Sequence, residues 1–165
     1  MLKTKIAAPF LLTRKNHALE HATIHVLTKK IPGIKLAGHS NPTGFIVIGN
    51  VTTEQVLESA LEALSKLQKG DSALAIHPGC GTNLAVTGLV PSIFALLSMS
   101  GTTSDKQRRG RFSVLFVSIL AGFFIGSKLG PIVQKNITTD PDLTGLRITE
   151  VDQIAENLFR IKTSY

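Results

Sequence analysis

The sequence predicts an α+β fold: a small mixed α/β domain of about two helices and four to five short strands, interrupted by a transmembrane helical hairpin. Three observations predict it. Two long uncharged apolar runs occupy the middle of the 165-residue chain. The residues before them switch between helical and strand-like patterning. The residues after them return to short alternating stretches of strand type. The organisation that follows is residues 1–80 as an α/β region, 84–134 as the hairpin with a basic loop at 101–111, and 136–165 as strands that complete the first sheet.

Helix signals come first. Asn16 reads as an N-cap for a helix through Lys29, and Lys29-Lys30-Ile31-Pro32-Gly33 reads as its stop. Ile34–Ala37 and Phe45–Ile48 read as strands of a hairpin, joined by the turn-rich Gly38–Gly44. Thr52-Thr-Glu-Gln55 is a capping box, and Leu57, Ala60, Leu61, Leu64 and Leu67 continue at helical spacing to about Gln68, with Gly70 as stop. Ala73–Ile76 is an apolar run of strand length. Beyond the hairpin, 136–142 reads as a linker. Leu146–Thr149 and Leu158–Lys162 read as strands, with a short helix or turn over Asp152–Asn157.

The apolar runs account for a mean hydropathy of +0.22. Residues 81–103 and 112–127 contain no charged residue, and about 20 mostly apolar residues suffice to cross a bilayer. Their Gly, Ser and Ala content suits close helix packing in lipid; the alternative is a buried helical hairpin of a soluble protein. Residues 6–12 are apolar but short and lack a small-residue cleavage site. With Lys3, Lys5, Arg14 and Lys15 around them, they read as an interfacial anchor or as a frayed terminus rather than a signal peptide.

Orientation signals conflict. Four of the eleven residues 101–111 are basic, which would put this loop in the cytoplasm and the α/β region outside. Residues 1–80 are themselves basic, with nine Lys/Arg against five Asp/Glu. A metal-binding thiol is also easier to keep reduced inside. The balance places the α/β region on the cytoplasmic side of a bacterial inner-type membrane.

The net charge of +7 does not point to nucleic acid, because there is no Trp, only one Tyr, and aromatic residues make up 5% of the chain. One cysteine excludes an intramolecular disulfide framework. The chemistry concentrates instead in His17-Ala-Leu-Glu20-His21. On a helix, His17 and His21 share a face one turn apart, which is how two imidazoles reach one metal ion. Glu20 stands beside them in the place of a general base in an inverted zinc-hydrolase motif. His77-Pro-Gly-Cys80-Gly-Thr supplies a second pair of candidate ligands on a tight turn, in the manner of zinc knuckles. His25 continues the stripe and reads as a helix-surface residue or an outer partner of the ligands, and His39 as an exposed loop residue.

The two motifs, in this order and just ahead of a hydrophobic segment, resemble a family of metal-dependent bacterial membrane proteins of unknown function. In that pattern the motifs read His-Gly-Ala-Glu-His and His-Pro-Arg-Cys-Gly-Thr-Ser, against His17-Ala-Leu-Glu20-His21 and His77-Pro-Gly-Cys80-Gly-Thr-Asn83 here. The Lys that often follows the first motif is Ala22 in this chain, and those proteins are larger. The resemblance covers the two motifs and implies a metal site at a membrane.

Two functional readings follow. In the first, zinc held by His17, His21 and one of His77 or Cys80 keeps a position for water, with Glu20 as base. The protein is then a membrane-bound hydrolase of peptidase type, acting on a membrane protein, peptide or lipid. In the second, all four ligands close a structural site in a non-enzymatic assembly module, or the histidines handle a metal or tetrapyrrole.

Overall fold

The computed structural model describes residues 2–165, with side chains from residue 8 onward. It comprises two compact units, one formed by residues 1–77 and 135–165 and the other by residues 78–134. The first holds α1 (Leu2–Lys30), the hairpin β1 (Ala37–Asn41) and β2 (Gly44–Ile48), α2 (Thr53–Gln68), a 3₁₀ turn over Ser72–Ala75, β3 (Arg147–Ala155) and β4 (Leu158–Ser164). The second holds α3 (Gly81–Met99), α4 (Asp105–Gly110) and α5 (Phe112–Val133), after which a π-helical turn covers Gln134–Thr138. The class is the α+β class the sequence predicts.

In the first unit the four strands form one antiparallel sheet in the order β1-β2-β4-β3. The register pairs Phe45 with Ile161 and Val47 with Phe159. Strand side chains alternate between faces, so these four residues share one side, and all are buried. They join Ala18, Leu19, Ala22, Val26 and Leu27 of α1 and Val56, Ala63, Leu64 and Leu67 of α2 in a single core. Complete burial of each large side chain contributes roughly 1.5–3 kcal/mol. The Thr52–Gln55 capping box is present in both directions. Gly33 and Gly70, beyond the ends of α1 and α2, adopt positive φ, the left-handed conformation that favours glycine at helix exits.

Four local expectations are corrected. The first helix does not begin at Asn16 but at Leu2, running through Pro9. Asn16 is buried mid-helix, donating to the Asn41 carbonyl (2.8 Å) and accepting from the Thr163 hydroxyl (2.7 Å). A side chain of N-cap type is satisfied there by strands distant in sequence. The side chains of Lys3 and Lys5, read above as part of a surface anchor, lie outside the described residues.

The second correction moves β1 from 34–37 into the expected connector, leaving the two-residue loop Pro42-Thr43. Asn41 Oδ1 accepts from both the Thr43 amide and hydroxyl, an Asx turn that the sequence only hinted at. In the third, Ser72–Ala75 is a 3₁₀ turn rather than a strand. The carbonyls of Ala75 and Ile76 bond to histidine side chains instead of a ladder. In the fourth, β3 continues through Asp152 to Ala155, and only Glu156-Asn157 turn the chain. Asn157 there takes φ of 57°, a conformation asparagine tolerates better than most residues.

In the second unit α3 and α5 pack together along a glycine stripe. Gly122, Gly126 and Gly130, spaced four apart, are buried against Pro91, Thr87 and Asn83 respectively. A Cβ at Gly122 would come within 2.5 Å of Pro91 Cα, so the backbones approach closely. The remaining faces are apolar and exposed, with Leu96 at 74% and Phe112 at 68%. At 1.5 Å per residue the 19 and 22 residues of these helices extend about 28 and 33 Å. Both are long and apolar enough to cross a membrane.

Candidate metal centre

The site is built on the middle of α1, which the first unit fixes from two directions. On one side, the Arg14 guanidinium donates to the carbonyls of Asn136 (3.3 Å) and Thr139 (2.9 Å). The Asp140 amide donates to the Arg14 carbonyl (3.1 Å). The Lys15 ammonium, buried, donates to the Asp142 carbonyl. Arg14 and Lys15 therefore clamp the segment that leads into β3, and this brings the Thr138 carbonyl to His17. On the other side, the 3₁₀ turn ends with Ile76 extended, presenting the carbonyls of Ala75 and Ile76 to α1.

These carbonyls set the histidine tautomers. His17 Nδ1 lies 2.9 Å from Thr138 O, and His21 Nδ1 lies 2.8 Å from Ala75 O. A carbonyl oxygen only accepts, so each Nδ1 carries the hydrogen and the lone pair of the neutral ring falls on Nε2. The two rings stand 4.2 Å apart, centroid to centroid, as four-residue helical spacing dictates. Metal-ligating histidines typically bond the other ring nitrogen to a carbonyl or carboxylate in this way.

His77 and His25 extend the row. The His77 ring is 5.8 Å from that of His21 and 4.8 Å from that of His25. His25 Nε2 donates to the Ile76 carbonyl (2.8 Å), the opposite tautomer to its neighbours. The sequence read His25 as either a helix-surface residue or an outer partner; it is half-buried in the histidine row. His39 is exposed, as expected, but on strand β1 rather than in a loop.

Glu20 is 4% exposed, and Oε2 accepts from the Ser40 hydroxyl. A Cβ on Gly38 would overlap the Glu20 side chain as it now lies, so glycine gives the carboxylate room where β1 crosses it. Neither Gly38 nor Ser40 stood out in the sequence, because only the pairing of β1 with α1 brings them to Glu20. Cys80 belongs to the second unit. It is buried there as the N-cap of α3, its sulfur accepting from the Thr82 amide (3.4 Å).

No solved structure matches this chain. An uncharacterized protein of the cyanobacterium Picosynechococcus sp. (strain PCC 7002) is 31% identical over 141 residues, which cover 78% of this chain and 66% of that protein. The chain thus spans just under two thirds of the length of the curated relative it matches. The motif resemblance pointed to a family of unknown function, and the family found is also one. Residues 12–151, which include α1 from before His17, the His77–Cys80 turn and both apolar helices, match the model of a domain of unknown function, DUF6391, and the chain belongs to that family.

Proposed function

We propose that this protein is a membrane-associated metal-binding protein, with zinc as the preferred ion, His17 and His21 as ligands and the thiolate of Cys80, from the second sequence motif, as the third. The observation that carries the reading is the pair of carbonyl-held imidazoles on α1, with Nδ1 of both His17 and His21 bonded to backbone carbonyls, so that Nε2 is the lone-pair nitrogen of each neutral ring. The clamp of Arg14 and Lys15 on the 136–142 segment supports it, because it fixes the acceptor that orients His17. Cys80 is tethered by covalent geometry: three residues beyond His77, its Cα lies within about 11 Å of that of His77. A thiolate with two imidazoles is a donor set that suits zinc.

With three protein ligands the ion keeps a position for water, and the proposed reaction is hydrolysis at the membrane surface. The ion would supply Lewis acidity and lower the pKa of bound water towards ~7. Glu20 is the group proposed to take the water's proton, with Ser40 fixing the carboxylate. The substrate class proposed is a peptide or membrane protein. The second reading is a closed structural site with His77 as fourth ligand, favoured by the 5.8 Å approach of its ring to His21. The exposed apolar faces of α3 and α5 support membrane insertion in either case.

Cobalt substitution of the full chain in detergent tests both readings. Thiolate-to-cobalt charge transfer that disappears in Cys80→Ser, with about one equivalent of zinc in the native protein, is the expected result. A wild-type protein that takes up no metal overturns the proposal. X-ray absorption then counts ligands: three protein donors and a water fit the hydrolase, and four protein donors at ~2.0–2.3 Å fit the closed site.

A further inference from the structure

The loop between the two apolar helices carries four cations, and they are not equivalent. Arg111 is consumed inside the second unit, its guanidinium donating to the carbonyls of Ser98 (3.2 Å) and Ser100 (2.7 Å) at the end of α3. Arg108 lies 4.0 Å from Asp105 one turn back on α4, and both are well exposed. Lys106 and Arg109 are exposed, and no ion pair involves either among the described residues. α4 itself is held in shape locally. The Ser104 hydroxyl caps it by accepting from the Gln107 amide, and the Gln107 side chain accepts from the Thr103 amide.

Directly beside these cations the surface turns apolar. Leu96 and Leu97 at the end of α3, and Phe112 and Phe116 at the start of α5, are all more than half exposed. Ordered cations within a turn or two of exposed aromatic and aliphatic side chains match the layering of a bilayer, in which phosphates sit just outside the hydrocarbon. A single-stranded nucleic acid would match the charge but would leave the aliphatic rim without a counterpart.

We propose that Lys106 and Arg109 form a docking surface for the phosphate headgroups of anionic phospholipids, with Phe112 and Phe116 seated among the adjoining acyl chains. Arg111 is a structural cap and takes no part in lipid selection. The inference rests on the membrane reading of α3 and α5, and its test separates the two.

The full chain is titrated in zwitterionic detergent with phosphatidylglycerol or phosphatidylcholine, and retained lipid is counted by native mass spectrometry. Flotation with vesicles of phosphatidylcholine alone is run in parallel. The expected result is a preference for phosphatidylglycerol of roughly 30-fold, from two surface cations. It should shrink in about 1 M salt, where the screening length is ~3 Å. It should disappear in Lys106→Gln/Arg109→Gln, with the circular dichroism spectrum unchanged.

Equal retention of the two lipids by the wild type overturns the inference. So does a preference that survives the double substitution, or displacement of the lipid by inorganic phosphate or single-stranded RNA at similar concentration. Failure to float with phosphatidylcholine vesicles overturns the membrane reading itself. Flotation without headgroup preference overturns only the docking surface.

Discussion

The Nδ1 nitrogen of His21 lies 2.8 Å from the carbonyl oxygen of Ala75, fifty-four residues away. One hydrogen bond thus joins the helix that carries the first motif to the turn that precedes the second. It also determines which nitrogen of His21 can act as a ligand. If this arrangement exists to present Nε2 to a metal ion, His17→Ala and His21→Ala should each weaken zinc binding by about 100-fold or more. His39→Ala, on the exposed face of β1, should leave it unchanged. Competition titration against a zinc-binding dye measures all three. Equal affinities for wild type and His21→Ala would remove the metal centre.

Metal and fold should be linked. An ion that binds only the folded chain stabilises it by about 2.7 kcal/mol at 100 times its dissociation constant. Thermal unfolding of the full chain in detergent should therefore shift upward with added zinc and downward with a chelator, and the shift should vanish in His17→Ala. A melting temperature indifferent to zinc would contradict the proposed ligand set.

Local rules made part of this architecture readable and non-local pairing hid the rest. The Thr52–Gln55 capping box, the glycine exits at Gly33 and Gly70 and the four-residue spacing of His17 and His21 involve neighbours in sequence, and residue type decides them. Asn16 misled for the same reason. Its local meaning is an N-cap, but Asn41 and Thr163 complete its hydrogen bonds from two strands. The displaced β1 has a similar origin, since Gly38 and Ser40 are weak strand formers taken into the sheet's edge across Glu20. The carbonyls that orient the histidines carry no residue signature at all. They are backbone atoms, and only the fold brings them to α1.

The Ser40–Glu20 contact gives a separable test. A hydrogen bond to a buried carboxylate contributes about 1.5–3 kcal/mol, so Ser40→Ala should destabilise the protein by about that amount. In a Glu20→Gln background the acceptor is neutral and the cost should fall by half or more. A double-mutant cycle on thermal or denaturant unfolding measures the coupling. Additive effects would show that the two side chains do not interact. Gly38→Ala should be worse than Ser40→Ala, because its methyl group would overlap the Glu20 carboxylate itself.

A pH effect is expected far from the site. The Lys66 and then the Lys30 ammonium, hydrogen-bonding to Glu62, hold its carboxyl below the usual carboxylate range. A depressed folded-state pKa means the contribution is fully present above the unfolded value, near ~4.3, and is lost as pH falls through the lower folded value. Glu62→Gln should lower the neutral plateau of the stability profile slightly and flatten the acid limb below about pH 5, so that the variant and wild type converge at low pH. Because the pair is solvent-exposed, added salt should erase most of the difference. An acid limb identical in Glu62→Gln and wild type would exclude this pair as a contributor.

The glycine stripe makes the sharpest structural prediction. A methyl group at Gly122 would sit 2.5 Å from Pro91 Cα and 3.0 Å from Pro91 N, both backbone atoms that cannot rotate away. Nothing lies within 4 Å of the corresponding position at Gly88 on α3. Both residues are in helices, where alanine is intrinsically favoured over glycine by up to about 1 kcal/mol. Gly88→Ala should therefore be neutral or stabilising. Gly122→Ala should force the helices apart at a cost of about 1–3 kcal/mol, as overpacking does elsewhere. Thermal unfolding and limited proteolysis of the two variants in the same detergent give the comparison, each serving as control for the other. If helix propensity governed the hairpin, both would stabilise it. If the close approach of α3 and α5 governs it, only Gly122→Ala will loosen the pair and expose the 101–111 loop to protease.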